Sequence, residues 1–349
     1  MAKQVGVDAV IEALGRVKYP GYATDIVKLG LIEDIAVTPQ GGVSLTIRQA
    51  TEHEEVMKEL AAQIHHQITH ELGIEKVELK AHKLEPELGE KTGRVRLEGI
   101  RHVVAVGSGK GGVGKSTVAA NLAVALSKLG LRVGLLDADV YGPSVPTMFG
   151  VENARPRSAG GSAFHPVDKF GVQLVSIGFF LSDKTPVIWR GPIVMGVVRQ
   201  FLKDVKWGSL DFLIVDLPPG TGDAQLTLAQ QIYLDGAVIV TTPQDLALLD
   251  ALRAVKMFRQ LHCPLLGVVE NMSFFVCPDC GERDELFGHG GGERMAQEEG
   301  IKLLAQIPIY SEVREGGDSG VPITIAQPDH PASQTFAELA RQVVAEIRD

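Results

Sequence analysis

Cysteine is scarce in this chain. Only Cys263, Cys277 and Cys280 occur in 349 residues. That is no disulfide framework, and it suits a reducing cytoplasm. Long apolar runs are missing too, for none approaches the roughly 18 residues of a membrane span. The opening MAKQVGVDAVIEALG has no basic segment followed by an apolar one, so no signal peptide is expected. Lys and Arg never gather into a run, and the net charge is −9. An acidic protein gains nothing from general attraction to DNA, RNA or anionic lipid. These absences predict a cytoplasmic protein that has neither nucleic acid nor membrane as its partner.

What is present is a globular composition, 45% apolar and 22% charged, with 39 glycines for tight loops. The length exceeds one ordinary core, so two or three domains are expected. Residues 1–83 read as a small α+β domain. It has a helix-period segment at 7–17, a turn at Pro20 and Gly21, and strand-like runs at 31–37 and 43–47. A long helix at 54–72 and a strand at 76–81 follow. Residues 84–99, LEPELGEKTGRVRLEG, are polar and carry Pro and Gly, as a linker does. From 100 to 349 short apolar runs alternate with helical stretches: HVVAV, RVGLL, FLIVD, GAVIV and LLGVVE. Strands buried on both faces of a parallel sheet read this way. The expected fold is α/β, a doubly wound and mostly parallel sheet of the P-loop NTPase kind.

The strongest motif is GSGKGGVGKST, in which Gly109, Gly114, Lys115 and Ser116 satisfy G-x-x-x-x-G-K-[ST]. An expected strand at 102–106 leads in and an expected helix at 116–129 leads out. The candidate nucleotide loop is Gly109, Lys110, Gly111, Gly112, Val113, Gly114, Lys115, Ser116 and Thr117. Its backbone N–H groups and the helix N-terminus would cradle the phosphates of ATP. Lys115 would reach the β- and γ-phosphates, and the Ser116 hydroxyl would ligate Mg²⁺. The run KGGVGKS resembles the deviant phosphate loop of the MinD, ParA and nitrogenase iron-protein class. That resemblance implies that Lys110 crosses a dimer interface and joins Lys115 in catalysis.

Two further stretches end buried strands in acid. FLIVD ends in Asp216, the expected second Mg²⁺ arm. RVGLLDAD ends in Asp137 and Asp139. Asp139 best matches the residue that orients the attacking water in the resembled class, with Asp137 as the alternative. A lone Asp after a strand is commonly a helix cap; it is the combination with the phosphate loop that points to catalysis.

Cys277-Pro278-Asp279-Cys280 puts two thiolates within reach of one metal centre. The spacing alone also fits a redox dithiol or half a zinc site. A redox pair wants a helix directly after its first Cys, whereas a polar Gly-rich loop follows here. Cys263 reads as a separate buried thiol. One chain therefore supplies two thiolates, and a four-thiolate site implies two chains. His289 is near in sequence, and His66 and His70 lie four apart on the long helix; all three read as solvated.

Taken together, GKGGVGKS, LLDADVYGPSVP, IWRGP, DLPPGTGD, GVVENMSFFVCPDC, FGHGGG and IPIYSEVREGGDSGVP resemble the Mrp/ApbC family of iron–sulfur cluster carrier ATPases. The resemblance runs from about Gly99 to the C-terminus. It implies a homodimer that bridges a [4Fe–4S] cluster between its paired CxxC motifs, hydrolyses ATP and delivers the cluster to apoproteins. It also implies adenine contacts from Asn271 and from the loop around Pro308. In residues 1–83, DIVKLGLIEDIAV resembles a small domain found in cluster-assembly factors, departing from it at Tyr19-Pro20-Gly21. Two other readings compete. One is a dimeric P-loop ATPase with a structural zinc shared between subunits. The other is a positioning switch, which would need a basic tail that the C-terminal helix lacks.

Overall fold

The computed structural model describes residues 6–18, 25–27, 32–37, 42–48, 54–74, 76–82, 94, 96–140, 142–160, 163–180, 201, 204–277 and 279–347. The expected turn at Tyr19-Pro20-Gly21, most of the expected linker, and Trp189, Arg190 and Pro192 lie outside them. The chain forms two compact units, Met1–Gly93 and Arg94–Asp349.

The first unit carries α1 (Val7–Leu14), β1 (Ile32–Val37), β2 (Val43–Arg48), α2 (Glu54–Leu72) and β3 (Val77–His82). β2 lies between β1, to which it is antiparallel, and β3, to which it is parallel. Alternate residues of β2, Val43, Leu45 and Ile47, are buried. They meet Leu60, Ile64 and Ile68, one four-residue stripe of α2. His65, His66 and His70 lie on the exposed side of that helix. The His66 and His70 rings stack 5.6 Å apart.

The second unit opens with β4 (Ile100–Ser108), α3 (Lys115–Lys128), β5 (Val133–Asp137) and a short α4 (Val145–Met148). Four short strands follow, β6 (Arg157–Gly160), β7 (Ala163–His165), β8 (Val167–Lys169) and β9 (Val172–Ser176). Next come β10 (Leu210–Asp216), α5 (Asp223–Gln231), β11 (Gly236–Thr241), α6 (Asp245–Gln260), β12 (Leu265–Val276) and β13 (Arg283–Asp284). The chain closes with α7 (Gly291–Glu299), β14 (Leu303–Ile309), α8 (Ser311–Ser319), α9 (Ile323–Ala326) and α10 (Pro331–Glu346). The main sheet runs β13-β12-β11-β4-β10-β5-β9-β8, with β14 also on β12. Among the described residues of this sheet, only β8 and β13 are antiparallel to their neighbours.

Burial explains the apolar runs. Val103 and Ala105 of β4 pack into one core with Ala251, Val255 and Phe258 of α6. Val104 and Val106, pointing the other way, pack with α3 and with Phe336, Leu339 and Val343 of α10. A strand covered on both faces has no polar alternation to show. β4 sits between β10 and β11, where successive crossovers turn in opposite directions. Ligands bind beyond the carboxyl ends of strands at such a point, and that is where the Gly-rich loop lies. Among the described residues no helix is long and apolar enough to cross a membrane.

Phe336 is fully buried where α10 covers the sheet beside α3. Phe336→Ala should lower unfolding stability by about 3–5 kcal/mol, as core aromatic truncations do. The midpoint of denaturant unfolding checks this, and an unchanged midpoint would show that α10 is not part of the cooperative core.

Candidate functional site

The phosphate loop leaves β4 and enters α3 through Gly114, whose φ of 82° lies in the left-handed region. A Cβ there would also collide with the Asn271 amide. Gly109 is constrained differently: a Cβ on it would overlap the Asp250 backbone of α6. The loop is thus clasped between α6 and β12, with Asn271 Nδ2 donating to the Val113 carbonyl at 2.8 Å. Asn271 is buried, and the bond shows it propping the loop directly.

Lys115 and Asp216 meet inside the protein. Lys115 Nζ lies 2.5 Å from Asp216 Oδ1, and the two side chains are 6% and 0% exposed. Lys115 Nζ also donates to Ser116 Oγ at 3.1 Å. The other Asp216 oxygen, Oδ2, is buried and has no hydrogen-bond partner among the described residues. Lys110 is half-buried and has no ion-pair partner among the described residues. Ser108 Oγ donates to its carbonyl at 2.9 Å.

Asp137 ends β5 opposite Asp216 on β10. Its Oδ2 accepts from Ser144 N, Val145 N and Ser176 Oγ at 3.1, 3.1 and 2.9 Å. Its Oδ1 accepts from Asp139 N at 3.2 Å. Burial, then the charge of Asp216, pushes its carboxyl up to about 7, against the pull of Val145 N–H, Ser176 and Lys115. The carboxylate is committed to holding the start of α4. Asp139 is also buried, and its Oδ1 accepts from Gly142 N at 3.3 Å.

The cysteine pair is set differently from expectation. The apolar run suggests a strand ending at 270, yet β12 continues to Val276. Phe275 and Val276 pair antiparallel with Asp284 and Arg283, so Cys277 and Cys280 occupy the turn of a β12–β13 hairpin. Cys277 N donates to Glu282 O at 2.9 Å, and Gly281 N to Cys277 O at 2.8 Å. Hydrogen bonds from the Cys280 and Asp279 backbone N–H groups hold the Cys277 thiol below its ordinary range. Backbone donors aimed at sulfur favour the thiolate, the form that ligates metal. Among the described residues no three His, Cys, Asp or Glu side chains converge on a metal position. His289 is engaged elsewhere, its Nδ1 lying 3.2 Å from Glu285 Oε1.

A family model described as NUBPL iron-transfer P-loop NTPase matches residues 99–344. The chain belongs to that family. A second model, described as iron-sulfur cluster assembly protein, matches residues 7–79. An iron-sulfur cluster carrier protein of Synechocystis is 44% identical over 344 residues, 97% of each chain. One from Aquifex aeolicus is 55% identical over 249 residues, covering 71% of this chain and 68% of its own. Among solved structures, a nucleotide-binding protein from Archaeoglobus fulgidus in complex with ADP superposes with a TM-score of 0.60 at 41% identity. That match covers 68% of this chain and 93% of the other. The cell division ATPase MinD of Pyrococcus furiosus, at 23% identity and TM-score 0.52, covers 70% of this chain and 98% of its own, and shares the fold.

As a P-loop NTPase of this family, the chain brings Gly109–Ser116, Asp137, Asp139, Asp216 and Asn271 to one end of the sheet. The cysteines lie further along β12. Several neighbours escaped the sequence reading. Ser176 and the N–H groups of Ser144 and Val145 hold Asp137. Gln225 is buried with neither amide atom partnered among the described residues. Glu270 is wholly buried, accepting from Ser273 Oγ and Gly292 N, each at 2.5 Å, and from Gln306 Nε2 at 3.0 Å. Ser176, Gly292 and Gln306 carry no spacing signal, because each lies 22 or more residues from the acid it bonds. Met272 has φ 53°, a conformation that costs a non-glycine residue on the order of 1–3 kcal/mol.

Cys263 is buried, and desolvation pushes its thiol up to about 12. At about pH 8 it is thiolate to roughly one part in ten thousand. Iodoacetamide should therefore modify Cys277 and Cys280 while sparing Cys263, as read by peptide mass spectrometry. Equal modification of all three in the folded protein would contradict the assignment.

Proposed function

We propose that this chain is an ATP-hydrolysing carrier that binds a [4Fe–4S] cluster between two copies of itself and passes it to apoproteins in the cytoplasm. One observation carries the reading. A phosphate loop with a buried acid beside it is braced by Asn271 of β12, the strand that runs on into a cysteine turn of metal-binding type. The iron–sulfur carriers among the relatives support it.

Lys115 is the group that must move. It neutralises Asp216. The γ-phosphate of ATP offers it a second anion, and its departure frees Asp216. The orphaned Asp216 Oδ2 and the Ser116 hydroxyl then fit Mg²⁺, with Asp216 acting through water. The ion, when bound, offsets the charge that develops on the phosphate oxygens. Asp139, buried two residues after Asp137, is the group of this reading that orients the attacking water, with Asp137 as the alternative. Lys110 has no carboxylate of its own among the described residues, so it suits a role on the partner's nucleotide. Asn271, fixed against Val113, lines the nucleotide site and is the adenine contact of this reading. The remaining loop residues Lys110–Val113 and Thr117 surround the phosphates.

Cys277 and Cys280 hold the cargo. Two thiolates per chain and a four-ligand cubane require two chains. A structural zinc would use the same turn, so metal analysis separates the two readings.

Lys115→Ala should abolish nucleotide binding. Lys110→Ala should keep binding while turnover falls by about a hundredfold or more, the scale of a lost transition-state cation. Isothermal titration and phosphate release give the two quantities, and equal loss of both in Lys110→Ala would remove the trans role.

Anaerobic reconstitution with iron and sulfide should load about one cluster per two chains. Cys277→Ala or Cys280→Ala should abolish loading and transfer while ATP still binds. Cys263→Ala should load normally. A monomer holding a full cluster, or stoichiometric zinc without iron, would falsify the carrier assignment.

A further inference from the structure

One short piece of chain runs from a contact with the phosphate loop to the cysteine turn. Asn271 bonds the loop at Val113, and Cys277 lies six residues on, at the hairpin tip. Before Asn271, β12 is locked into the sheet. Val268, Val269 and Glu270 pair with β11 on one side and β14 on the other. After it the pairing changes. The β12–β14 register, which slips once between Val268 and Val269, slips again between Asn271 and Phe275, and Met272 takes φ 53° within that second gap. A Cβ on Gly114 of the loop would lie 3.8 Å from Met272 Cε, so the side chain reaches the loop while the backbone makes the kink. Beyond the kink, the Arg283 guanidinium stacks on Phe274 at 3.6 Å and Cys277 N bonds Glu282 O. The hairpin is thus tied to itself and, at its base, to β14 through the Phe275–Ile309 pair, while along the chain it joins the locked part of β12 through Met272 and Ser273. Ser273 is held back by Glu270, which leaves Met272 as the point of adjustment.

We infer that β12 couples the nucleotide to the cysteine turn, with Met272 as the hinge. The inference rests on the reading of Cys277 and Cys280 as cluster ligands. A phosphate entering the loop takes up its N–H groups and draws Lys115 from Asp216. The Val113 carbonyl then shifts, and Asn271 shifts with it. The locked part of β12 resists, so the displacement passes through Met272. Two backbone states are available there. The left-handed one is kept while the loop is clasped, and relaxation to the extended one re-aims the hairpin. The turn that carries Cys277 and Cys280 moves with the hairpin. Met272 is therefore a positioning residue: it touches neither phosphate nor metal and acts on the thiolates through the backbone. Coupling of this kind is reciprocal, so a loaded cluster alters nucleotide affinity by the factor that nucleotide alters cluster affinity. The physical requirement for such coupling is an element with two discrete arrangements that both sites bias, and a residue held in the left-handed region between two fixed segments supplies it.

The test uses cluster-free protein, so it is independent of whether iron binds. Iodoacetamide modification rates of Cys277 and Cys280 are measured with and without Mg-ADP and a non-hydrolysable ATP analogue. Buried Cys263 serves as the internal control. Nucleotide should change the Cys277 rate by about fivefold or more, the low end of allosteric coupling. Met272→Val disfavours the left-handed state and should abolish this response while nucleotide still binds. Met272→Asn tolerates that state and should preserve the response. Amide exchange in the wild-type chain gives a second readout, with nucleotide changing protection at Cys277 and Gly281. An unchanged Cys277 rate and unchanged hairpin protection in the wild-type chain, or a full response in folded Met272→Val, overturns the hinge. Loss of the carrier reading shows separately, as failure to load iron while the nucleotide response persists.

Discussion

Lys115 and Asp216 form an ion pair 2.5 Å long where water does not reach, at the carboxyl ends of adjacent strands. Removing one partner from such a pair costs about 3–5 kcal/mol, because the other charge is left buried and alone. The sheet enforces the meeting. β4 delivers the loop, β10 delivers the acid, and their parallel register sets Asp216 beside Val106. In the proposed reading, the negative charge of a polyphosphate competes with Asp216 for Lys115.

The surrounding groups follow from that constraint. A second carboxylate beside Asp216 would be costly if ionised and unsupported. Asp137 is tolerated because three backbone N–H groups and a serine hydroxyl aim at it, and because burial favours its protonated form. Glu270, also wholly buried, is supported by a backbone N–H, a serine and a glutamine. These acids hold loops in place. Asp137 ends β5, from which Asp139 emerges, and Glu270 lies within β12, ahead of the cysteine hairpin.

Much of this was legible in the sequence. The apolar runs announced the parallel sheet, and Gly109, Gly114, Lys115 and Asp216 announced a nucleotide site by type and spacing. Cys277 and Cys280 announced a thiolate turn. The extent of β12 was not legible. Glu270, Asn271 and Ser273 interrupt the apolar pattern, and residues of that kind end strands when nothing answers their polar groups. Here α7, β14 and the phosphate loop answer them, at separations of 22, 36 and 158 residues. The role of Asp137 was hidden for the same reason, since one of its donors, Ser176, is 39 residues away.

By itself the sequence determined the fold class and the chemistry available: a loop of backbone donors with a lysine, two strand-ending acids and two thiols. These are local properties, set by residue type and by spacing along one stretch of chain. The tertiary structure decided which groups are free and which are committed. It paired Lys115 with Asp216, occupied the oxygens of Asp137, left Asp216 Oδ2 without a partner, and joined the loop to the cysteines through Asn271 and a left-handed Met272. Those outcomes depend on desolvation and on contacts between residues far apart in the chain, and no periodicity along the sequence encodes them.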